Sequence, residues 1–416
     1  MEQRSRTRLI AAGTIGNVLE WYDFAIYGYF AVSIGRNFFP SSDPVAQVLA
    51  AFGVFAIGFL MRPLGGLLTG AIGDRYGRRS ALTFSIAAMA VPTFLVGVLP
   101  GYQAIGIAAP VLLTLLRMIQ GLSVGGECTT SFTFLVENAA PGRAGLTGAI
   151  AMSGANVGLF AGSASGAVMA SLLPADTLHD WGWRIPFLAG LLVGAAGYVL
   201  RRNVQEMKLP EQSRSPLAET FRDHKRLLLR IAGLAAFGTV SFFLMFLYSV
   251  SWLQLVDGLA PERALDINTL SMAALIPAMI AAGWLSDRIG RKPLLIAATV
   301  GGFVGAVPFL WLMHHADPAL IVLGQLGFVA VLAPALAVQP ALLVESTPPA
   351  VRCTVISLGF NASAGLLGGF APLAAAWLVH RSGIDLSPAF IAMAVAVVSF
   401  TAVLTFRETN PRAGRQ

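Results

Sequence analysis

Charge is scarce in this chain. Of its 416 residues only 12% are Asp, Glu, Lys or Arg, while 56% are hydrophobic. A soluble domain carries about 25% charged residues. No water-soluble core could hide this much apolar sequence, so a soluble globular protein is excluded. Cysteine is scarcer still: Cys128 and Cys353 are the only two, both near apolar stretches. Without a metal-spaced pair they exclude a zinc site, and both read as small packing residues. The chain has no G-x-x-x-x-G-K-[ST] phosphate loop, no Ser/His/Asp arrangement and no metal-spaced cluster. An enzyme is therefore not expected. Energy should come from a proton gradient rather than ATP, with no cofactor. His314 and His315 read as solvated residues of an outer loop. The net charge of +7 does not imply nucleic acid, because the basic residues sit in short loops and tails rather than on one face.

Long apolar runs are what the chain has instead. About twelve reach spanning length, ~20 residues. They lie roughly at 9–34, 46–72, 80–99, 104–138, 143–172, 184–201, 229–256, 266–286, 293–314, 318–346, 352–380 and 386–406. The expected fold class is an all-α membrane protein of about twelve transmembrane helices in two six-helix bundles. Its loops alternate in charge. One side carries the Arg4–Arg8 tail, Arg75, Arg78, Arg79, Arg143, the 201–230 segment, Arg288, Arg291, Lys292, Arg352 and the Arg407–Arg415 tail. The other carries only Arg36, Arg184, Arg263 and Arg381, with Asp43, Asp176, Asp180 and Asp317. The excess of basic residues places both termini in the cytoplasm. Arg4, Arg6 and Arg8 ahead of an apolar run mimic a secretory signal. That run contains Glu20 and Asp23 and continues past signal length, so it reads as a retained first helix.

Two stretches echo one another: GAIGDRYGRRSAL at Gly70–Leu82 and GWLSDRIGRKPLL at Gly283–Leu295, offset by 213 residues, about half the chain. Such spacing indicates an internal duplication. Each reads as a tight cytoplasmic loop in which Asp74 or Asp287 caps the next helix start or pairs with a loop arginine. Arg75, Arg78, Arg288 and Arg291 hold those loops on the basic side. A second echo joins Glu137, Pro141 and Arg143 to Glu345, Pro349 and Arg352. These acids are expected to lock the two halves together at their cytoplasmic ends. The chain divides accordingly into an N-terminal bundle over 1–201, a cytoplasmic linker over 202–228 and a C-terminal bundle over 229–416. In the linker, Ser215-Pro216 resembles a helix start. The residues after it read either as an amphipathic helix on the anionic leaflet or as a solvated connection.

An ionisable side chain inside a span is costly and so a functional candidate. Four qualify: Glu20 and Asp23 in the first span, Arg117 and Glu127 in the fourth. Glu20 and Asp23, three apart, share a helix face with Asn17, Phe24 and Tyr27. Two close carboxylates repel, which favours holding a proton near neutral pH. Glu20, Asp23 and Glu127 are therefore the candidates for proton coupling, the alternative being a permanent pair with an arginine. Arg117 cannot shed its charge and must face an acid or an anionic solute in a wet cavity. Gln120, Asn156, Tyr248, Gln339 and Asn361 could complete the binding cavity with Arg117, Asn17 and Tyr27.

At finer grain, the basic Gly70–Leu82 loop and its repeat resemble the signature loop of the major facilitator superfamily. GNVLEWYDFAIYGYF (Gly16–Phe30), FLMRPLGGLLTGAIGDRYGRR (Phe59–Arg79), RMIQGLSVGGE (Arg117–Glu127) and WGWRIPF (Trp181–Phe187) are similar to its metabolite:proton symporter family. LRRNVQE at 200–206 resembles the matching segment of that family and of the sugar porters. The resemblance implies a bacterial-type cytoplasmic membrane and uptake of a small metabolite with a proton by alternating access. A monomer is expected. With Arg117 as the one deep cation and Arg62 and Arg184 left at span ends, a small carboxylate-bearing solute is the lead substrate. The alternatives are a proline/betaine-type zwitterion and export of amphipathic compounds. The tail after Phe406 lacks the long coiled-coil extension of osmosensing members, which weighs against an osmolyte.

Overall fold

The computed structural model describes residues 18, 20–62, 64–65, 68, 72, 78–123, 127–201, 222–349 and 351–409. Among them every regular element is a helix. In chain order these are α1 (20–29), α2 (Ala31–Phe38), α3 (Pro44–Leu60), α4 (Arg78–Val98), α5 (Ala108–Ser123), α6 (Glu127–Glu137), α7 (Ala144–Leu172) and α8 (Arg184–Arg201). The second half continues with α9 (Lys225–Phe243), α10 (Ser249–Leu255), α11 (Pro261–Ile289), α12 (Arg291–Met313), α13 (Pro318–Ser346), α14 (Arg352–Asn361), α15 (Ala371–Ser382) and α16 (Pro388–Thr405). Seven of the described helical stretches are long and apolar enough to cross a bilayer, and three shorter apolar helices accompany them.

Several helix starts come from local sequence. Asp43 accepts from Val45 N at 2.9 Å with Pro44 in the first turn of α3, and Asp317 does the same for Ala319 N ahead of Pro318 in α13. Each cap supplies an acceptor to an orphan N–H, and the proline has none to lose. Two spans are interrupted by wider-wound turns. α9 runs into α10 through a wide turn at Leu244–Tyr248, and α14 into α15 through one at Ala362–Gly368. Such i→i+5 bulges re-aim the side chains beside them, here Tyr248 and Asn361. The expected fourth span, 104–138, comprises α5 and α6. The seventh begins at Lys225 rather than 229.

Small residues set the packing. α7 lies along α11 for most of its length, and Gly145 and Ala149 meet Gly283 where the two backbones approach. On its other side α7 receives α1, with Gly158 against Val18 and Gly162 against Ala25. Without hydrophobic drive inside lipid, such close approach is what holds helices together. In the first half, Gly58 and Gly121 bring α3 and α5 into backbone contact, which carries Arg117 into the interior.

The two halves touch at both ends. At the end bearing Asp287 and Arg291, called the basic end below, α6 and α7 meet α11, α13 and α14. At the far end α3 packs on α15, and Asn268 and Thr269 of α11 hydrogen-bond Ser163 of α7 at 2.9 and 2.7 Å.

Candidate functional site

Two buried ion pairs lie side by side on α1. Asp23 is 2% exposed and Arg117 is fully buried; Arg117 Nη1 lies 3.2 Å from Asp23 Oδ2. Gln120, one helical turn on, accepts from Arg117 Nη1 at 2.8 Å and donates Nε2 to Asp23 Oδ1 at 2.9 Å and to Thr93 Oγ1 at 3.0 Å. Thr93 also donates to Asp23 Oδ1. The carboxylate thus accepts from three side chains of α4 and α5. The second pair is Glu20 with Arg62, 3.0 Å apart at 6% and 4% exposure.

This arrangement corrects two expectations. Glu20 and Asp23 are not a mutually repelling couple, because each carboxylate has its own guanidinium. Arg62 does not stay at a span end but reaches the interior. Its guanidinium carbon lies 5.4, 5.7 and 4.9 Å from the ring centres of Trp21, Phe24 and Phe59. That of Arg117 lies 4.8 and 4.3 Å from those of Phe24 and Tyr27. Arginine suits such faces because it is planar and weakly hydrated. Nε and Nη1 of Arg62, and Nε and Nη2 of Arg117, are buried donors with no hydrogen-bond partner among the described residues. Unmade bonds of that kind cost free energy until a ligand accepts them.

An aromatic cluster spans the two halves around these pairs. Phe59 lies 4.8 Å from both Phe24 and Phe55 and 5.3 Å from Phe243, whose ring also stacks on Trp21 at 6.3 Å. Tyr248 meets Phe52 at 6.0 Å. Phe55, Phe59 and Phe243 were not among the sequence candidates. In a chain with 26 phenylalanines nothing in spacing separates them from lipid-facing ones.

The remaining candidates are distributed unevenly. Tyr27 donates its hydroxyl to Ala51 O at 3.0 Å, which fixes its ring beneath Arg117. Asn156 bonds Met152 O at 3.1 Å and Met279 Sδ at 3.3 Å across the halves, and its Oδ1 is buried and unpartnered. Gln339 is buried against Gly238 with its Oε1 unpartnered. Asn361 bonds back to Ser357 O at 2.9 Å in its own helix. Asn17, Asp74 and Arg75, and the side chains of Arg78 and Glu127, lie outside the described residues.

At the basic end Asp287 does both things its spacing suggests, but toward a different helix. It pairs with Arg291 at 2.7 Å, and it accepts from Gly145 N and Leu146 N at 2.8 and 2.9 Å. Those are the first N–H groups of α7, in the opposite half, so the capped helix is not the next one. A carboxylate there meets both orphan donors and the positive end of the helix dipole. Arg352 reaches Glu137 at 2.6 Å, a second bond between the halves. Glu345 departs from expectation: it binds Arg291 at 3.0 Å within its own half. Its carboxylate is drawn inward by a fully buried guanidinium and does not reach across. Arg288 is exposed and lies over Trp284 at 3.6 Å, outside the lock, and the Arg143 side chain is exposed. Glu408, which accepts from Arg291 N and Lys292 N at 2.9 Å, was not foreseen. Cys353 is exposed rather than packed, and His314 is not free in solvent, its Nδ1 lying 2.5 Å from Asp257 Oδ1.

Comparison with known proteins bears on this arrangement. Residues 9–206 match the model described as Sugar (and other) transporter, and residues 258–416 match Major Facilitator Superfamily. The proline/betaine transporters of Salmonella typhimurium and Escherichia coli K12 are 33% and 34% identical over 97% of this chain and 84% of theirs. The chain belongs to the major facilitator superfamily. A glycine betaine/proline/ectoine/pipecolic acid transporter of Dickeya dadantii is 34% identical, covering 97% of this chain and 83% of that one. A crystal structure of a D-xylose-proton symporter shares the fold at a TM-score of 0.76 and 18% identity, covering 98% and 99% of the two chains. The twelve-helix, all-α membrane architecture of this superfamily is thereby that of this chain, a multi-pass membrane transporter. The carboxylate reading is not supported, since the relatives are proline/betaine transporters. The count of one deep cation on which it rested fails at Arg62. Nor does the short tail weigh against an osmolyte, because a terminal extension says nothing of the chemistry at the centre.

Proposed function

We propose that this protein takes up a small zwitterion of the proline/betaine type together with a proton. The observation that carries the reading is the charge of the centre. Glu20, Asp23, Arg62 and Arg117 sum to zero in a buried, aromatic-walled space. A zwitterion adds no charge of its own to that centre, so the proton taken by Asp23 is the one net charge loaded, beside the solute's own carboxylate, whereas a dicarboxylate brings two negative charges for that single proton. Unused N–H donors of Arg117 and Arg62 suit the solute carboxylate. The faces of Phe24, Phe55, Phe59 and Phe243 suit a quaternary or secondary ammonium head.

Proton coupling is built on the bonds of Asp23. As an ionised acceptor it holds Arg117, Gln120 and Thr93; taking a proton, it loses the charge that holds Arg117, and the guanidinium turns to the solute. Release of the solute returns Arg117 to Asp23 and expels the proton. Glu20, about 4.5 Å nearer the basic end at 1.5 Å per residue, offers the next carboxylate on that path. The basic end faces the cytoplasm, and the Asp287–α7 and Glu137–Arg352 contacts open and close it.

The test is solute selectivity in proteoliposomes. Labelled glycine betaine or proline should be accumulated under an inward proton gradient, with excess small dicarboxylate failing to compete. Competition by the dicarboxylate and none by proline or betaine would refute the zwitterion reading.

A further inference from the structure

His314 belongs neither to the central site nor to the basic-end lock. It comes directly after α12, and its ring lies 5.5 Å from that of Trp252 in α10. Nδ1 is 2.5 Å from Asp257 Oδ1, and Nε2 is 3.8 Å from Asp385 Oδ2. Asp257 lies just past α10 and Asp385 between α15 and α16, so one imidazole joins three far-end segments of the second half. Trp252 Nε1 donates to Asp385 O at 3.1 Å and ties the same loop to α10. The Asp257 side chain is 9% exposed, and its Oδ2 is buried with no partner.

The neighbouring charges are few. Tyr248 lies one turn before Trp252 in the same span. His315 lies against Trp311, and Asp317 caps α13. The last turn of α15 carries His380 and Arg381. Among the described residues no lysine or arginine lies within ion-pair distance of Asp257 or Asp385.

A neutral imidazole has one N–H and one lone pair. Between two carboxylates it must therefore turn a lone pair toward one of them. Imidazolium donates to Asp257 while facing Asp385 with its charge at ion-pair rather than hydrogen-bond distance, and it supplies the missing positive charge beside a buried carboxylate with an idle oxygen.

We propose that His314 is a second proton-binding site, separate from Asp23, whose protonated form latches the far ends of α10 and α12 to the 383–387 loop. The proton comes from bulk water to a ring nitrogen, and no other covalent bond changes. Protonation places a positive charge between the two carboxylates and its loss removes that charge, so the latch tightens as pH falls and slackens as pH rises. Burial holds the Asp257 carboxyl above its ordinary range, so it takes up a proton in weaker acid than an ordinary carboxylate, and that protonation loosens the latch again. Because α10 continues the helix that carries Phe243 and Tyr248, its anchored end restrains one wall of the aromatic cluster.

The test uses the full chain in nanodiscs, with Cys128 and Cys353 replaced by Ser and spin labels at the exposed positions Ile384 and Arg263. Double electron–electron resonance at about pH 5 and about pH 8.5 spans the interval in which imidazoles in general change charge. The expected result is a narrow distance distribution at the lower pH that broadens at the higher. His314→Asn keeps a donor for Asp257, and Asp385→Asn keeps the loop's shape; both should lose the pH response. A distribution independent of pH in the parent, or a response that survives in both variants, would overturn the proposal. Neither readout depends on which solute is carried.

Discussion

Asp287→Asn should unlock the basic end. In the parent, one carboxylate accepts from Gly145 N at 2.8 Å and Leu146 N at 2.9 Å across the halves, while Arg291 at 2.7 Å holds it in place. An Asn amide keeps one acceptor oxygen, but its NH2 must face a backbone donor, and the charge at the start of α7 is gone. Each hydrogen bond to a charged group contributes about 1.5–3 kcal/mol, and the helix end adds a few tenths to about 2. Losing one cross-half bond and weakening the other therefore costs about 3 kcal/mol. At about 1.4 kcal/mol per decade, that raises the basic-end-open fraction about a hundredfold. Arg291 still has Glu345, so no buried charge is stranded. Ser286 offers a reporter, since its side chain is fully buried beneath Gly145 of the other half. With both native cysteines replaced, the alkylation rate of Ser286→Cys should rise about a hundredfold in the Asp287→Asn background. A rate within about threefold of the parent, less than 1 kcal/mol, would refute the reasoning.

Removing Glu137–Arg352 should matter less, because Glu137 is 37% exposed and such pairs contribute about 1 kcal/mol or less. Arg352→Ala should raise the same alkylation rate no more than about fivefold; an effect equal to that of Asp287→Asn would contradict the ranking. Arg62→Lys should abolish most uptake while leaving folding intact, since an ammonium cannot stack among Trp21, Phe24 and Phe59 as a planar fork does. Uptake close to the parent's would remove Arg62 from the site. His179, which bonds Ser33 Oγ at 2.8 Å at the far end, is pushed down to about 4 by burial and by Arg36. Its folded value lies below its unfolded one, so stability falls as pH drops from about 6.5 toward 4, by at most ~1.4 kcal/mol per unit. Thermal melts at about pH 7 and pH 5 should differ less in His179→Gln than in the parent; equal differences would refute this.

The topology was legible because apolar runs of spanning length are hard to mistake, and the Gly70 and Gly283 stretches exposed the repeat. Asp23 and Arg117 were legible for the complementary reason, that a charge inside a span needs a partner. Which partner was not legible. Spacing put Glu20 and Asp23 on one face, but whether they meet each other or two arginines depends on how α3 and α5 sit against α1. Hydropathy has no depth scale, so Arg62 looked terminal although the close approach at Gly58 and Gly121 draws α3 and α5 together. Asp287 shows the same limit. Its sequence context marks a capping acid, yet the first N–H it accepts from, that of Gly145, lies 142 positions earlier in the chain. His314 between two carboxylates is likewise a product of three loops meeting, which no local pattern records.

Proton movement during solute uptake tests the central claim most directly. Proteoliposomes holding a pH dye should acidify when glycine betaine or proline is added outside. Asp23→Asn should bind and exchange the labelled solute without acidification. Acidification of equal extent in Asp23→Asn, or labelled-solute accumulation in the parent with no proton signal, would contradict coupling through the Asp23–Arg117 pair.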